Sequence, residues 1–256
     1  MAKNSGIEYV QASWNPWHGC HKIRPEDGCK NCYMFKDKKR FGQDPEEVVR
    51  SSNKTFYAPL KWKDPRRIFV CSWSDFFICE ADYWRPEAID VMLRTPQHTY
   101  IIITKRYDRM TLWSQSCIDG PDVYLPENVI WGITAENHKW LEKGIKYLLQ
   151  MPGKKLLSIE PMLGCVDLNH PYDYWGLPGE EKILRKPYWA FIDCIIFGAE
   201  SGPSRRPCDI EWIRNCVQQC EELNIPVFVK QIHINGKLSK NMDEWPEDLR
   251  VREWPE

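Results

Sequence analysis

The chain has 256 residues, the span of one large domain or a single α/β barrel, and enough to bury a core without disulfide support. Charge nearly cancels, with 35 Lys+Arg against 36 Asp+Glu, which excludes a uniformly basic nucleic-acid coat and an acidic disordered tail. The 11 cysteines are an odd number, so complete internal disulfide pairing is impossible and free thiols or metal ligation are the readings to weigh.

The first ten residues lack the apolar stretch of a signal peptide, and the longest apolar runs, 100–103 and 194–199, are far shorter than the ~20 residues of a membrane span. A cytoplasmic, reducing setting with no membrane partner is expected. Ile7–Ser13 reads as the first strand and runs into Trp14–Cys20. Further strands are predicted at Ile68–Ser72, Tyr100–Thr104, Val129–Thr134, Lys155–Ile159, Cys194–Phe197 and Pro226–Val229. Between them, Arg85–Arg94, Asn137–Gln150 and Asp209–Leu223 carry helical spacing, the first with Pro86 at an early helical position and the last with an Asp cap. Short, nearly all-apolar strands alternating with helices predict an α/β fold, a full or partial (β/α) barrel of parallel strands in one domain over residues 1–231. Residues 169–186 read as an inserted loop, and residues 232–256 as a tail packed on the barrel.

In a parallel barrel the C-terminal strand ends share one face, where functional groups collect. Here those ends carry Ser72, Trp73, Ser74 and Asp75; Thr104, Lys105 and Arg106; Thr134, Glu136 and Asn137; Glu160; Glu200 and Ser201; and Lys230 with Gln231. Polar clusters after nearly every strand read as a site. Charge is also uneven: residues 1–67 carry 14 Lys+Arg and 8 Asp+Glu, a solvated surface or a face for phosphates.

The densest chemistry lies in the loop 14–33, where Cys20, Cys29 and Cys32 are spaced Cys-x8-Cys-x2-Cys, with Pro25 and Gly28 at the bends. Zinc takes four ligands in a structural site, and His18 or His21 could supply the fourth. An iron–sulfur cube held by three cysteines leaves one iron open. The spacing itself leaves both metals open. The remaining eight cysteines have no second Cys-x2-Cys pair and read as small buried hydrophobes. Most of the 13 Trp read as packing. Trp14, Trp17 and Trp73, which flank the loop and the second strand, suit packing and, equally, walls that exclude water or stack on a base.

Placed after a first barrel strand, the loop resembles the cluster loop of radical S-adenosylmethionine (SAM) enzymes. The segments Trp14–Cys20, Gly28–Tyr33, Phe69–Phe77, Ile103–Arg106 with Arg109 and Met110, Leu157–Gly164, Gly198–Pro203 and Phe228–Gln231 resemble a phage and prokaryotic three-Cys-motif family of radical-SAM-like proteins, a phage gene-product family of unknown function. The stretch after the second strand is distantly similar to spore photoproduct lyase. The gap of eight between the first two cysteines departs from the usual gap of three. The resemblance implies a 4Fe-4S cluster on Cys20, Cys29 and Cys32. It implies SAM held by Ser72, Ser74 and Asp75 (ammonium), Lys105 or Arg106 (carboxylate), and Glu136 or Asn137 (ribose), with Trp73 also in the cofactor-binding set. Glu160, Glu200, Lys230 and Gln231 would face the substrate, a nucleobase or nucleotide in DNA modification or repair. A flavodoxin- or ferredoxin-type electron donor is the implied partner. The competing expectations are a zinc-binding nucleic-acid or protein interaction module, and an iron–sulfur protein that does not cleave SAM.

Overall fold

The structure, a computed structural model, describes residues 5–118, 125–169 and 188–255. Its strands are β1 (Ala12–Trp14), β2 (Trp17–His18), β3 (Val49–Arg50), β4 (Arg67–Val70), β5 (Thr99–Thr104), β6 (Val129–Thr134), β7 (Lys155–Ile159), β8 (Cys194–Gly198), β9 (Val227–Ile234) and β10 (Lys237–Ser239). Its helices are α1 (Tyr33–Arg40), α2 (Asn53–Phe56), α3 (Arg85–Leu93), α4 (Tyr107–Ile118), α5 (His138–Leu148) and α6 (Ile210–Leu223). β2 and β3 pair as a separate antiparallel ribbon. The other eight strands form one sheet in the order β1-β4-β5-β6-β7-β8-β9-β10. Every pair from β1 to β9 is parallel, and only β10 runs against its neighbour. Each new strand lies beside the previous one, so the sheet winds in one direction and curls into a half-barrel. Of the full and partial barrels expected, the partial one forms, because after β9 the chain turns back as a hairpin.

Side chains alternate between the two faces of this sheet, and both are buried. On the helix side, Trp14, Tyr100, Ile102, Trp131, Ile133 and Leu157 pack with Met92 of α3, Met110 of α4, Leu141 of α5 and Ile213 of α6. On the concave side, Ile101, Ile130, Leu156, Ile196 and Phe228 join Tyr9 and Val10 in a second cluster. Trp254 of the tail stacks on Tyr9 with ring centroids 6.0 Å apart. Burial on both faces explains the near-absence of polar positions in these strands.

Strand predictions from 129 to 159 match the observed bounds, and the other differences are local. The first strand begins at Ala12, because Tyr9 and Val10 are buried as a plug inside the half-barrel and are not part of the ladder. The last strand continues to Ile234 and pairs with β10. The turn between them is Asn235-Gly236, both at positive φ (49° and 73°), as a two-residue hairpin turn requires. Helices α1 and α4 were not among the predicted elements. Apart from Asn169, the loop expected at 169–186 lies outside the described residues. No cysteine is in a disulfide, and two of the eight read as buried, Cys79 and Cys165, are exposed. Among the described residues no helix is long and apolar enough to cross a membrane.

Gly144 of α5 packs where a Cβ would lie 2.6 Å from the Tyr107 ring and 2.8 Å from Ile133. Alanine favours a helix by about 1 kcal/mol over glycine, but overpacking costs about 1–3 kcal/mol. Gly144→Ala is therefore expected to lower the urea midpoint. An unchanged or raised midpoint would show that the Tyr107 ring moves aside freely.

Candidate functional site

The parallel strands end at a cavity of about 260 Å³. Cys20, Cys29 and Cys32 border it, together with Gly28 and Tyr33. Ser72, Ser74 and Asp75 from beyond β4, Lys105 and Arg106 from beyond β5, Glu160 from beyond β7, Glu200 and Ser201 from beyond β8, and Lys230 of β9 border it as well. Toward the inside of the half-barrel the lining becomes apolar, with Ile7, Tyr9, Phe69 and Ile103, while Thr134 and Ser158 also border the space. Strand ends far apart in sequence thus meet the cysteine loop at one space.

Trp73, Glu136, Asn137 and Gln231 do not border this cavity, and their contacts are structural. The Trp73 amide donates to Asn15 Oδ1 at 2.8 Å, and its carbonyl accepts from Gly19. Asn137 caps α5 by accepting from the Trp140 amide at 3.3 Å. Gln231 donates to the Ala199 carbonyl at 2.6 Å, spanning the irregularity where β8 meets β9. Trp14 and Trp17 are fully buried. Their indole N–H groups donate to the Phe56 and Asp75 carbonyls, so the aromatic borders of the cavity are Tyr9, Tyr33 and Phe69 instead. His21 borders the cavity and lies 2.8 Å from Glu80, whereas His18 does not border it.

Two clamps position the cysteine loop. In the first, Arg24 inserts beneath the loop and donates to Glu136 Oε2 at 2.7 Å and to the Thr134 and Lys105 carbonyls at 3.3 and 3.1 Å. Its guanidinium lies over the Trp140 ring at 3.8 Å and the Tyr107 ring at 4.5 Å. Glu136 is 0 % and Arg24 4 % exposed, so this pair works in a dry environment where charges are strongly coupled. Gly28 rests directly on Glu136: a Cβ there would fall 1.7 Å from Oε1. In the second clamp, Arg206 donates to both Glu200 oxygens and to the Glu26 and Asp27 carbonyls, while Asn31 donates to Glu200 at 2.9 Å. Gly28 was read only as a bend of the loop, and Arg24, Arg206 and Asn31 were not singled out by sequence reasoning, since nothing local distinguishes a clamping side chain from a surface one.

The remaining site groups are also held. Asp75 accepts from the Thr104 hydroxyl at 2.7 Å and from the Phe77 and Lys105 amides, tying the ends of β4 and β5 together. Ser74 donates to the Gly19 carbonyl at 2.6 Å, and the Ser72 carbonyl accepts from Tyr33. Lys105 Nζ lies 3.9 Å from Glu136, and Arg106 donates to the His21 carbonyl at 3.0 Å. Glu160 and Lys230 form an ion pair. Burial pushes the Cys20 thiol up to about 12, with Asp75 adding and Arg106 opposing. Burial alone would raise the Glu200 carboxyl, but Arg206 and Asn31 outweigh it and hold it below the usual carboxylate range.

As donors, the thiols of the cysteine loop fit a thiophilic metal or cluster in kind, and all three border one cavity without disulfides. Among the described residues no three His, Cys, Asp or Glu side chains are gathered as a ready coordination sphere, so these thiols share a cavity without converging on one point.

Fold and site together define an α/β half-barrel with a clamped three-cysteine loop over its strand ends. Residues 4–250 match the family described as "Protein of unknown function (DUF5131)", and the chain belongs to that family. No curated protein and no solved structure matches it.

Removing one partner of a buried ion pair costs about 3–5 kcal/mol. Arg24→Leu is expected to lose about that much stability and to speed hydrogen exchange across residues 20–33. A loss below about 1 kcal/mol with unchanged exchange would show that the loop holds its place without the clamp.

Proposed function

We propose that the protein is a radical SAM enzyme acting at this cavity. The observation that carries the reading is the meeting of Cys20, Cys29 and Cys32 with the polar ends of β4, β5, β7 and β9 around one space. Cys20, Cys29 and Cys32 would hold a 4Fe-4S cluster. When bound, such a cluster would supply the one low-potential electron that splits SAM at its sulfur–C5′ bond into methionine and a 5′-deoxyadenosyl fragment able to take a hydrogen atom from the substrate.

The chain's own residues do the positioning. Lys105 and Arg106 offer cations to the SAM carboxylate from a backbone fixed by Asp75. The polar stretch from Ser72 to Asp75 offers acceptors to the SAM ammonium. Glu136 is enclosed by Arg24 and Gly28, so its part in this reading is to hold the loop and orient Lys105; it is not placed to bind ribose. Glu160 and Lys230, beside the apolar inner lining, are the groups best placed to face a substrate. That lining keeps water from a reactive intermediate. A nucleobase or nucleotide is the proposed substrate, and a flavodoxin- or ferredoxin-type protein the proposed electron donor.

The test is anaerobic reconstitution with iron and sulfide, followed by dithionite and SAM. About four irons per chain and release of 5′-deoxyadenosine are expected, and Cys32→Ser is expected to lose the cluster. A colourless protein with one tightly bound zinc would overturn the reading in favour of an interaction module. Iron uptake with no SAM cleavage in the presence of nucleotide substrates would leave an iron–sulfur protein of another kind. Full iron content in Cys32→Ser would refute the ligand assignment.

A further inference from the structure

Beside the cysteine loop lies a cationic cradle that the proposed chemistry does not use. Lys36 is on α1, one turn beyond Cys32, and its Nζ is shut off from water with no hydrogen-bond acceptor among the described residues. Among the described residues no carboxylate lies within ion-pair distance of it. A buried ammonium without a partner is costly, and an anion would remove that cost.

The structure shows where the anion would enter. Lys36 Nζ faces Gly202, an exposed residue at φ +93°. A Cβ at Gly202 would lie 3.6 Å from that nitrogen, and among the described residues, its chain neighbours aside, no other atom would come within 4 Å of it. With no side chain at Gly202, only exposed backbone covers the ammonium on this side, and that backbone is all that has to shift to admit an anion. A second cation flanks it: Arg205 donates to the Gly202 carbonyl at 3.2 Å and to the Gly236 carbonyl at 3.0 Å, and among the described residues it too pairs with no carboxylate. The nearby acid, Glu200, is already taken by Arg206 and Asn31. Among the described residues two positive charges thus remain uncompensated around one glycine, with the exposed residues Ser201 and Ser204 on the same loop.

We infer that Lys36, Gly202 and Arg205 form an oxyanion subsite that takes the phosphate group of the substrate. Ser201 and Glu200 of this loop, and Cys32 one turn before Lys36, border the cavity, so a molecule seated there has its charged end at this rim. The phosphate chemistry follows from paired cations around a side-chain-free backbone. That the phosphate belongs to the substrate rests on the cavity being the substrate site; that the cradle binds phosphate does not.

The experiment is a calorimetric titration of the full chain, without iron, reductant or SAM, with inorganic phosphate, the four nucleoside 5′-monophosphates and the matching nucleosides. Saturable phosphate binding is expected, weakened at least tenfold by Lys36→Met and by Arg205→Gln and unchanged by Lys39→Gln, an exposed lysine on the same helix. Phosphate is expected to raise the urea midpoint of the wild type and not that of Lys36→Met. Without phosphate, Lys36→Met is expected to be at least as stable as the wild type, since it removes an unpaired buried charge. At least one nucleoside monophosphate is expected to bind tenfold more tightly than both inorganic phosphate and its nucleoside. No saturable phosphate binding, or equal binding by both variants, overturns the subsite. Monophosphates that bind no better than inorganic phosphate overturn its assignment to a nucleotide substrate. A chain that binds phosphate in this way but never yields 5′-deoxyadenosine keeps the subsite and loses the radical reading.

Discussion

Arg24 and Glu136 lie 112 residues apart in the chain, one in the middle of the cysteine loop and the other just beyond β6, and they meet where almost no water reaches them. A charge pair in such a place holds its geometry firmly, because either partner alone would be stranded in a low-dielectric interior. The rings of Tyr107 and Trp140 confine the guanidinium from α4 and α5, so the loop inherits its position from the sheet and from two helices at once. Gly28, seated on the same carboxylate, permits the close approach. The places of Cys20, Cys29 and Cys32 follow from this contact and from the second clamp at Glu200 and Arg206.

The clamps also determine how charge is distributed at the site. Glu136, Glu200 and Glu160 each engage a cation, Arg24, Arg206 and Lys230 respectively, and Asp75 is occupied by backbone amides and Thr104. The acids are thereby committed to structure or to pairs, and the groups left to meet an anionic ligand are cations: Lys105, Arg106, Lys36 and Arg205. Below this polar rim the half-barrel is apolar and plugged by Tyr9 and Trp254. A ligand at the cavity meets charge at one end and a dry surface at the other, which suits a substrate whose reacting part must be kept from water.

The strands were legible where the physics is local. β6 and β7 are apolar on both faces, and runs such as Val129–Thr134 have few alternatives to a doubly covered parallel strand. Tyr9 and Val10 misled because an apolar plug and an apolar strand look alike in composition. The Asn235-Gly236 turn was a readable hairpin signal, masked by the polar, Trp/Pro-punctuated stretch that follows. At the site, polar residues at strand ends marked the correct face, but the members that reach the cavity could not be separated from those that cap a helix or bridge strands. Glu136 and Lys105 look equally available in sequence; burial beside Arg24 encloses the first and leaves the second at the cavity border.

Taken alone, the sequence determined the α/β alternation, the parallel character of the strands and the concentration of thiols on one loop, since each depends on residue type and spacing along a short stretch. Only the tertiary structure decided that the barrel is half-open, that Arg24 and Arg206 clamp the loop, and that Lys36 faces Gly202 with no counter-charge among the described residues. The physical reason is common to all three. Curvature, buried ion pairing and an unpaired charge are relations between segments far apart in the chain, and no local pattern encodes which distant group a side chain meets.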